Sequence, residues 1–215
     1  MKICTSKKII REACISSLGQ ALAAEARGAD RLELCAYLAF GGLTPSIDLI
    51  KAVVAAVTIP VRVMIRPRNG DFFYREDELR HMENGIELCK NLGVEGVVFG
   101  VLNSDSTLNT EAITQLVKVA KPLKVVIHKA IDETPDILEA LSELLTMKGI
   151  DTILTSGGKL NAFDGVETLK IMLKHAESKI EIMPAGKITQ FNLTELDHLL
   201  GAKAYHGKLI VGELI

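Results

Sequence analysis

The stretch Val61-Arg62-Val63-Met64-Ile65-Arg66-Pro67-Arg68-Asn69-Gly70-Asp71-Phe72-Phe73-Tyr74 contains a complete passage from strand to loop. Residues 61–65 are apolar and β-branched apart from one arginine, which predicts a buried strand. Pro67 fixes its own φ and disfavours helix at Arg66, so the strand runs into a loop instead of a helix. Asn69-Gly70 reads as a turn. The loop is therefore stiff, cationic at its root (Arg66, Arg68) and aromatic at its tip. In α/β folds, loops at the carboxyl ends of strands build the binding sites, and two guanidiniums there suit a carboxylate or phosphate.

Working outward, the same unit recurs along the chain. Strands are predicted over 9–15, 31–35, 61–65, 96–100, 124–128, 152–155, 181–183 and 202–206, with helices over 18–27, 46–56, 75–91, 110–120, 135–148, 165–175 and 192–200. Ser46, Asp136 and Asn192 stand at helix starts, and Gly28, Gly93, Gly149 and Gly201 where helices stop. Eight strands alternating with seven helices predict a TIM-type (β/α)8 barrel forming one domain over 1–215, with a doubly wound open sheet as the alternative. After the last strand only residues 207–215 remain, too few for a full eighth helix. The apolar surface this would leave is covered either by self-association into a homo-oligomer or by Leu209-Ile210-Val211 folding back.

The 215 residues carry 25 basic and 27 acidic side chains, 48% hydrophobic residues and no tryptophan. That balance excludes an electrostatic footprint for nucleic acid and is ample for a large core. The first residues lack the apolar region of a signal peptide, and no apolar run approaches the ~20 residues of a membrane span. A cytoplasmic protein without membrane attachment is expected, with Cys4, Cys14, Cys35 and Cys89 as thiols.

Strand 1 contains Glu12-Ala13-Cys14 and strand 2 Glu33-Leu34-Cys35, with 21 residues between equivalent positions. Alternation puts Glu12 and Cys14 on one face, and Arg31, Glu33 and Cys35 likewise, pointing into the barrel, while Leu32 and Leu34 face the helices. Neighbouring strands lie ~4.8 Å apart, so the thiols of Cys14 and Cys35 can reach one ion. Soft thiolates select Cu(I), zinc or iron–sulfur centres, and two sulfurs without further donors fit Cu(I) better than four-coordinate zinc. The competing reading is that both cysteines pack as small hydrophobes. Cys89 shares a helical face with Ile86 and Leu92 and is expected to pack.

A second set lies at strand ends: Glu33, Arg66, Arg68, His128, Asp132 and His206. It suggests an alternative activity, an enzyme acting on a small phosphorylated or carboxylated metabolite. There Arg66 and Arg68 would clamp the anion, and His128 with Asp132 or Glu33 would move protons. Arg31, Arg62, Glu12 and Glu33 are also expected as an ion-pair network in the lumen. Thr155-Ser156-Gly157-Gly158 and Ala185-Gly186-Lys187 are turns that can offer backbone N–H groups to a phosphate.

The ordered blocks Glu12-Ala13-Cys14, Gly28-Ala29-Asp30-Arg31-Leu32-Glu33-Leu34-Cys35, Gly41-Gly42-Leu43-Thr44-Pro45-Ser46, the Arg66-Pro67-Arg68 segment, His128-Lys129-Ala130-Ile131-Asp132, Leu154-Thr155-Ser156-Gly157 and Ile182-Met183-Pro184 resemble the CutC family over nearly the whole chain. The resemblance implies a TIM-type barrel, a cytoplasmic setting and a role in handling copper, as Cu(I), with Cys14 and Cys35 as the matching ligands. Binding through thiolates makes affinity rise with pH. Two departures stand out. The family's His-Arg-Ala-Phe-Asp is His128-Lys129-Ala130-Ile131-Asp132 here. Its run of three glycines is Ala185-Gly186-Lys187, which weakens a backbone cradle and offers Lys187 as an anion contact instead. Relatives that continue past strand 8 make this a short form.

Overall fold

The structure is a computed structural model and describes residues 8–177 and 179–215; Cys4 lies outside them. The strands are β1 (Ile10–Ile15), β2 (Arg31–Leu34), β3 (Val61–Met64), β4 (Gly96–Phe99), β5 (Lys124–Ile127), β6 (Thr152–Thr155), β7 (Glu181–Pro184) and β8 (Ala204–Gly207). Seven α-helices alternate with them: α1 (Leu18–Ala26), α2 (Ile47–Ala56), α3 (Glu76–Lys90), α4 (Thr110–Ala120), α5 (Ile137–Thr146), α6 (Val166–Ala176) and α7 (Leu193–Leu200). All ladders are parallel, in the order β7-β6-β5-β4-β3-β2-β1-β8. The pairing of β1 with β8 bends the sheet round, so the arrangement is the expected (β/α)8 barrel, not the open sheet. β7 and β8 share no ladder; the seam closes through a bridge between Thr189 and Leu209. Gly207 permits this approach, because a Cβ there would meet the carbonyl oxygen of Ile188 at 2.3 Å.

Local signals explain the boundaries. Ser46 caps α2 by accepting from Leu49 N, and the Asp136 carboxylate caps α5 from Leu138 N and Glu139 N. Asn192 precedes α7 but turns its side chain back to accept from Thr189 N, so it does not cap the helix. Leu32 and Leu34 are fully buried against the helical layer, and Cys89 lies in that same core. A smaller apolar layer inside the barrel comprises Met64, Val98, Val126, Leu154 and Met183 together with Cys14 and Cys35.

Beyond β8 the chain forms bridges, not a helix. Ile210 and Val211 are buried, which is the fold-back alternative. Leu209, the third residue of that segment, stays 43% exposed, so the fold-back covers the apolar surface only in part. Among the described residues no helix is long and apolar enough to cross a membrane.

Candidate functional site

The lumen is organised by Glu12, whose carboxylate is completely buried. It accepts from Arg31 Nε, from Arg62 Nη1 at 3.4 Å, and pairs with His206 Nδ1 at 2.9 Å. Arg62 also reaches Glu95 at 2.7 Å, and Arg31 reaches Glu181 at 3.4 Å. Burial pushes the Glu12 carboxyl up. The hydrogen bond from His206 and the fields of Arg31 and Arg62 outweigh it and hold the group at about 2. This is the expected ion-pair network except for Glu33, which pairs with neither arginine, and it links the polar floor of the barrel to the strand ends above.

At those ends β1, β2 and β8 bring five side chains together. The in-register partner of Cys14 is Glu33, and Cys35 N still donates to Ile15 O at 2.9 Å just past the end of β2. The two sulfurs are 4.0 Å apart. Glu33 Oε1 lies 3.2 Å from Cys35 Sγ and 3.8 Å from Cys14 Sγ. His206 Nδ1 lies between the two carboxylates, 3.9 Å from Glu33 Oε2. Hydrogen bonding from Cys35 brings Cys14 down to about 5 despite burial, aided by His206. The same bond, burial and the charges of Cys14 and Glu33 push Cys35 well up. Burial raises Glu33 to about 8 against the field of His206. His206 is raised well above its ordinary value: burial opposes this, and Glu33, Cys14 and Glu12 outweigh it.

Two glycines shape the loop above this cluster. Gly41 and Gly42 have φ of +84° and +90°, a region that favours glycine. A Cβ on Gly42 would sit 3.1 Å from Cys35 Sγ, and one on Gly41 would sit 3.0 Å from Arg66 Nη1. Gly42 therefore packs on Cys35 and Gly41 on Arg66.

A chamber of about 660 Å³ opens over the cluster, with Cys14, Glu33 and His206 on its wall. Arg66, His128, Lys129 and Lys187 line it as well. Of the two arginines expected as an anion clamp, only Arg66 lines the chamber. Arg68 is held away by Glu78 at 2.5 Å and Asp71 at 2.9 Å, and does not line the chamber. The anticipated His128–Asp132 couple is also absent. The Asp132 carboxylate accepts from Thr155 Oγ1, Ser156 N, Ser156 Oγ and Gly158 N, filling the nest that the Thr155–Gly158 turn was expected to offer a phosphate. His128 Nδ1 accepts from Ala130 N, and its ring packs on Phe72 with centroids 4.8 Å apart. Burial and the Arg66 charge lower His128 to about 3, so the imidazole is neutral. His206 reads from the sequence only as a strand-end residue; its meeting with Glu12 and Glu33 follows from all three standing at inward positions of adjacent strands.

The CutC family model matches residues 9–211. The chain belongs to the CutC family. It is 41% identical over 197 residues to the human copper homeostasis protein cutC homolog, covering 92% of this chain and 72% of that protein. It is 42% identical over 201 residues to a CutC family protein of Parabacteroides distasonis, covering 93% and 82%. The crystal structure of the copper homeostasis protein CutC from Streptococcus agalactiae superposes with a TM-score of 0.89 at 34% identity, covering 94% of this chain and all of that one. The human relative and the solved relative carry copper homeostasis in their names, and the TIM-type barrel agrees with the solved relative.

Proposed function

We propose that this chain binds Cu(I) through the thiolates of Cys14 and Cys35 as its part in copper homeostasis. The observation that carries the reading is the 4.0 Å separation of two buried sulfurs on adjacent strands, with a carboxylate oxygen 3.2 Å from one of them. Metal–sulfur bonds of about 2.3 Å let both sulfurs reach one ion. Glu33 then stands on the same side as a third donor. Among the described residues, the clusters able to hold an ion are Cys14 with Glu33 and Cys35, and Glu12 with Glu33 and His206. Among the described residues, the cluster around the sulfurs supplies three donors, one short of a tetrahedral zinc set. Soft thiolates favour Cu(I). A reducing compartment keeps both cysteines as free thiols, which is why the reading places the protein in the cytoplasm.

X-ray absorption of the reduced, Cu(I)-loaded protein tests the assignment. Two sulfur neighbours are expected, with at most one lighter donor. A first shell made of nitrogen and oxygen alone would overturn it.

A further inference from the structure

The chamber above the cysteine pair is far larger than an ion requires. At about 660 Å³ it has the volume of roughly twenty water molecules, and it falls in the size range of small-molecule sites. Its walls are mixed: Leu38, Met64 and Phe72 are apolar, and the polar groups are placed singly.

Arg66 is the feature that calls for an occupant. The residue is only 6% exposed. Nη1 donates to Phe40 O at 3.0 Å and Nη2 to Gly70 O at 2.7 Å, while Nε has no partner. Phe72 covers one face at 4.7 Å. Every partner is neutral, and among the described residues no carboxylate forms a salt bridge with Arg66. A buried charge without a counter-charge is costly. The neighbouring His128 brings no compensating charge. Lys187 also lines the chamber, is exposed, makes no ion pair among the described residues, and holds a left-handed φ of +55° that a non-glycine residue adopts only at a cost.

We propose that this chamber binds a small organic anion, a carboxylate or a phosphate ester, whose charge is met by Arg66 and Lys187. The ligand's apolar part would lie on Met64 and Phe72, and its far end would approach Cys14. The inference is independent of copper, since Arg66 and Lys187 belong to β3 and β7 loops, not to the thiol pair.

The test uses methyl NMR of Met64 in the metal-free Cys14→Ser/Cys35→Ser protein, titrated separately with inorganic phosphate and with malonate. A saturable shift with one or both is expected, and the pattern distinguishes phosphate from carboxylate recognition. Arg66→Gln should weaken it about tenfold or more. Lys187→Glu, an exposed change that leaves the loop anchors intact, should weaken it several-fold and keeps the question open to refutation if Arg66→Gln does not fold. No saturable Met64 shift with either anion, or equal binding in wild type and Lys187→Glu, would overturn the proposal. Loss of Cu(I) binding with retention of anion binding in the double cysteine variant is the expected separation of the two sites.

Discussion

Replacing Asp132 separates a structural role from a chemical one. Its carboxylate receives Ser156 N at 3.0 Å, Gly158 N at 2.9 Å, Ser156 Oγ at 2.9 Å and Thr155 Oγ1 at 2.5 Å. Ser156 Oγ can donate to Lys159 O instead, so its loss costs little; Thr155 Oγ1 only accepts from Gly157 N, and its buried O–H would lose its acceptor. Gly158 is exposed, and water can satisfy its N–H. Ser156 is completely buried, and its N–H would be stranded. A hydrogen bond to a charged acceptor is worth about 1.5–3 kcal/mol; with the stranded Thr155 hydroxyl and a smaller contribution from Gly158, Asp132→Ala should cost about 3–5 kcal/mol. Asp132→Asn keeps one acceptor oxygen and should cost about half as much. Urea unfolding at neutral pH measures both. Cu(I) affinity of the asparagine variant should be unchanged, because Asp132 lies on the β5–β6 side and the thiols lie on β1 and β2. A stability loss below about 1 kcal/mol for Asp132→Ala, or a collapse of Cu(I) affinity in a folded Asp132→Asn protein, would refute this reasoning.

Glu12→Gln removes the anion shared by Arg31, Arg62 and His206, and should destabilise by about 3–5 kcal/mol in the same assay, as for other broken buried ion pairs. His128 gives a pH signature. Its folded value of about 3 lies below the unfolded 6.5, so as pH falls below 6.5 the unfolded chain takes up a proton that the native state refuses. Its contribution is therefore complete above that pH and is lost on acidification, by about 2 kcal/mol at pH 5. His128→Gln should remove this part of the slope of stability against pH, and an unchanged slope would contradict the assignment.

Much of the fold was readable because its signals are local. The β-branched runs, Ser46 and Asp136 at helix starts, and the glycines at helix ends act over a few residues, and the period of two sent Glu12, Cys14, Glu33 and Cys35 inward correctly. The same period brought the thiols together, since barrel register holds β1 against β2. What was not readable depended on partners chosen in three dimensions. Arg68 reads as half of a clamp until Glu78, ten residues on at the start of α3, claims it. Asp132 reads as a catalytic partner of His128 until the β6 loop, 24 residues away, folds its N–H groups around it. His206 lies 194 residues from Glu12 in sequence, and only the β1–β8 ladder makes them neighbours. Closure of the barrel, which periodicity left open against a flat sheet, is what creates the site.

The most direct test of the central claim is a titration of the reduced, metal-free protein with Cu(I) against a competing chelator, in wild type and in Cys14→Ser/Cys35→Ser. The account predicts tight one-to-one binding in the wild type, lost in the double variant while its unfolding transition persists. Stoichiometric binding that survives the loss of both thiols would contradict it.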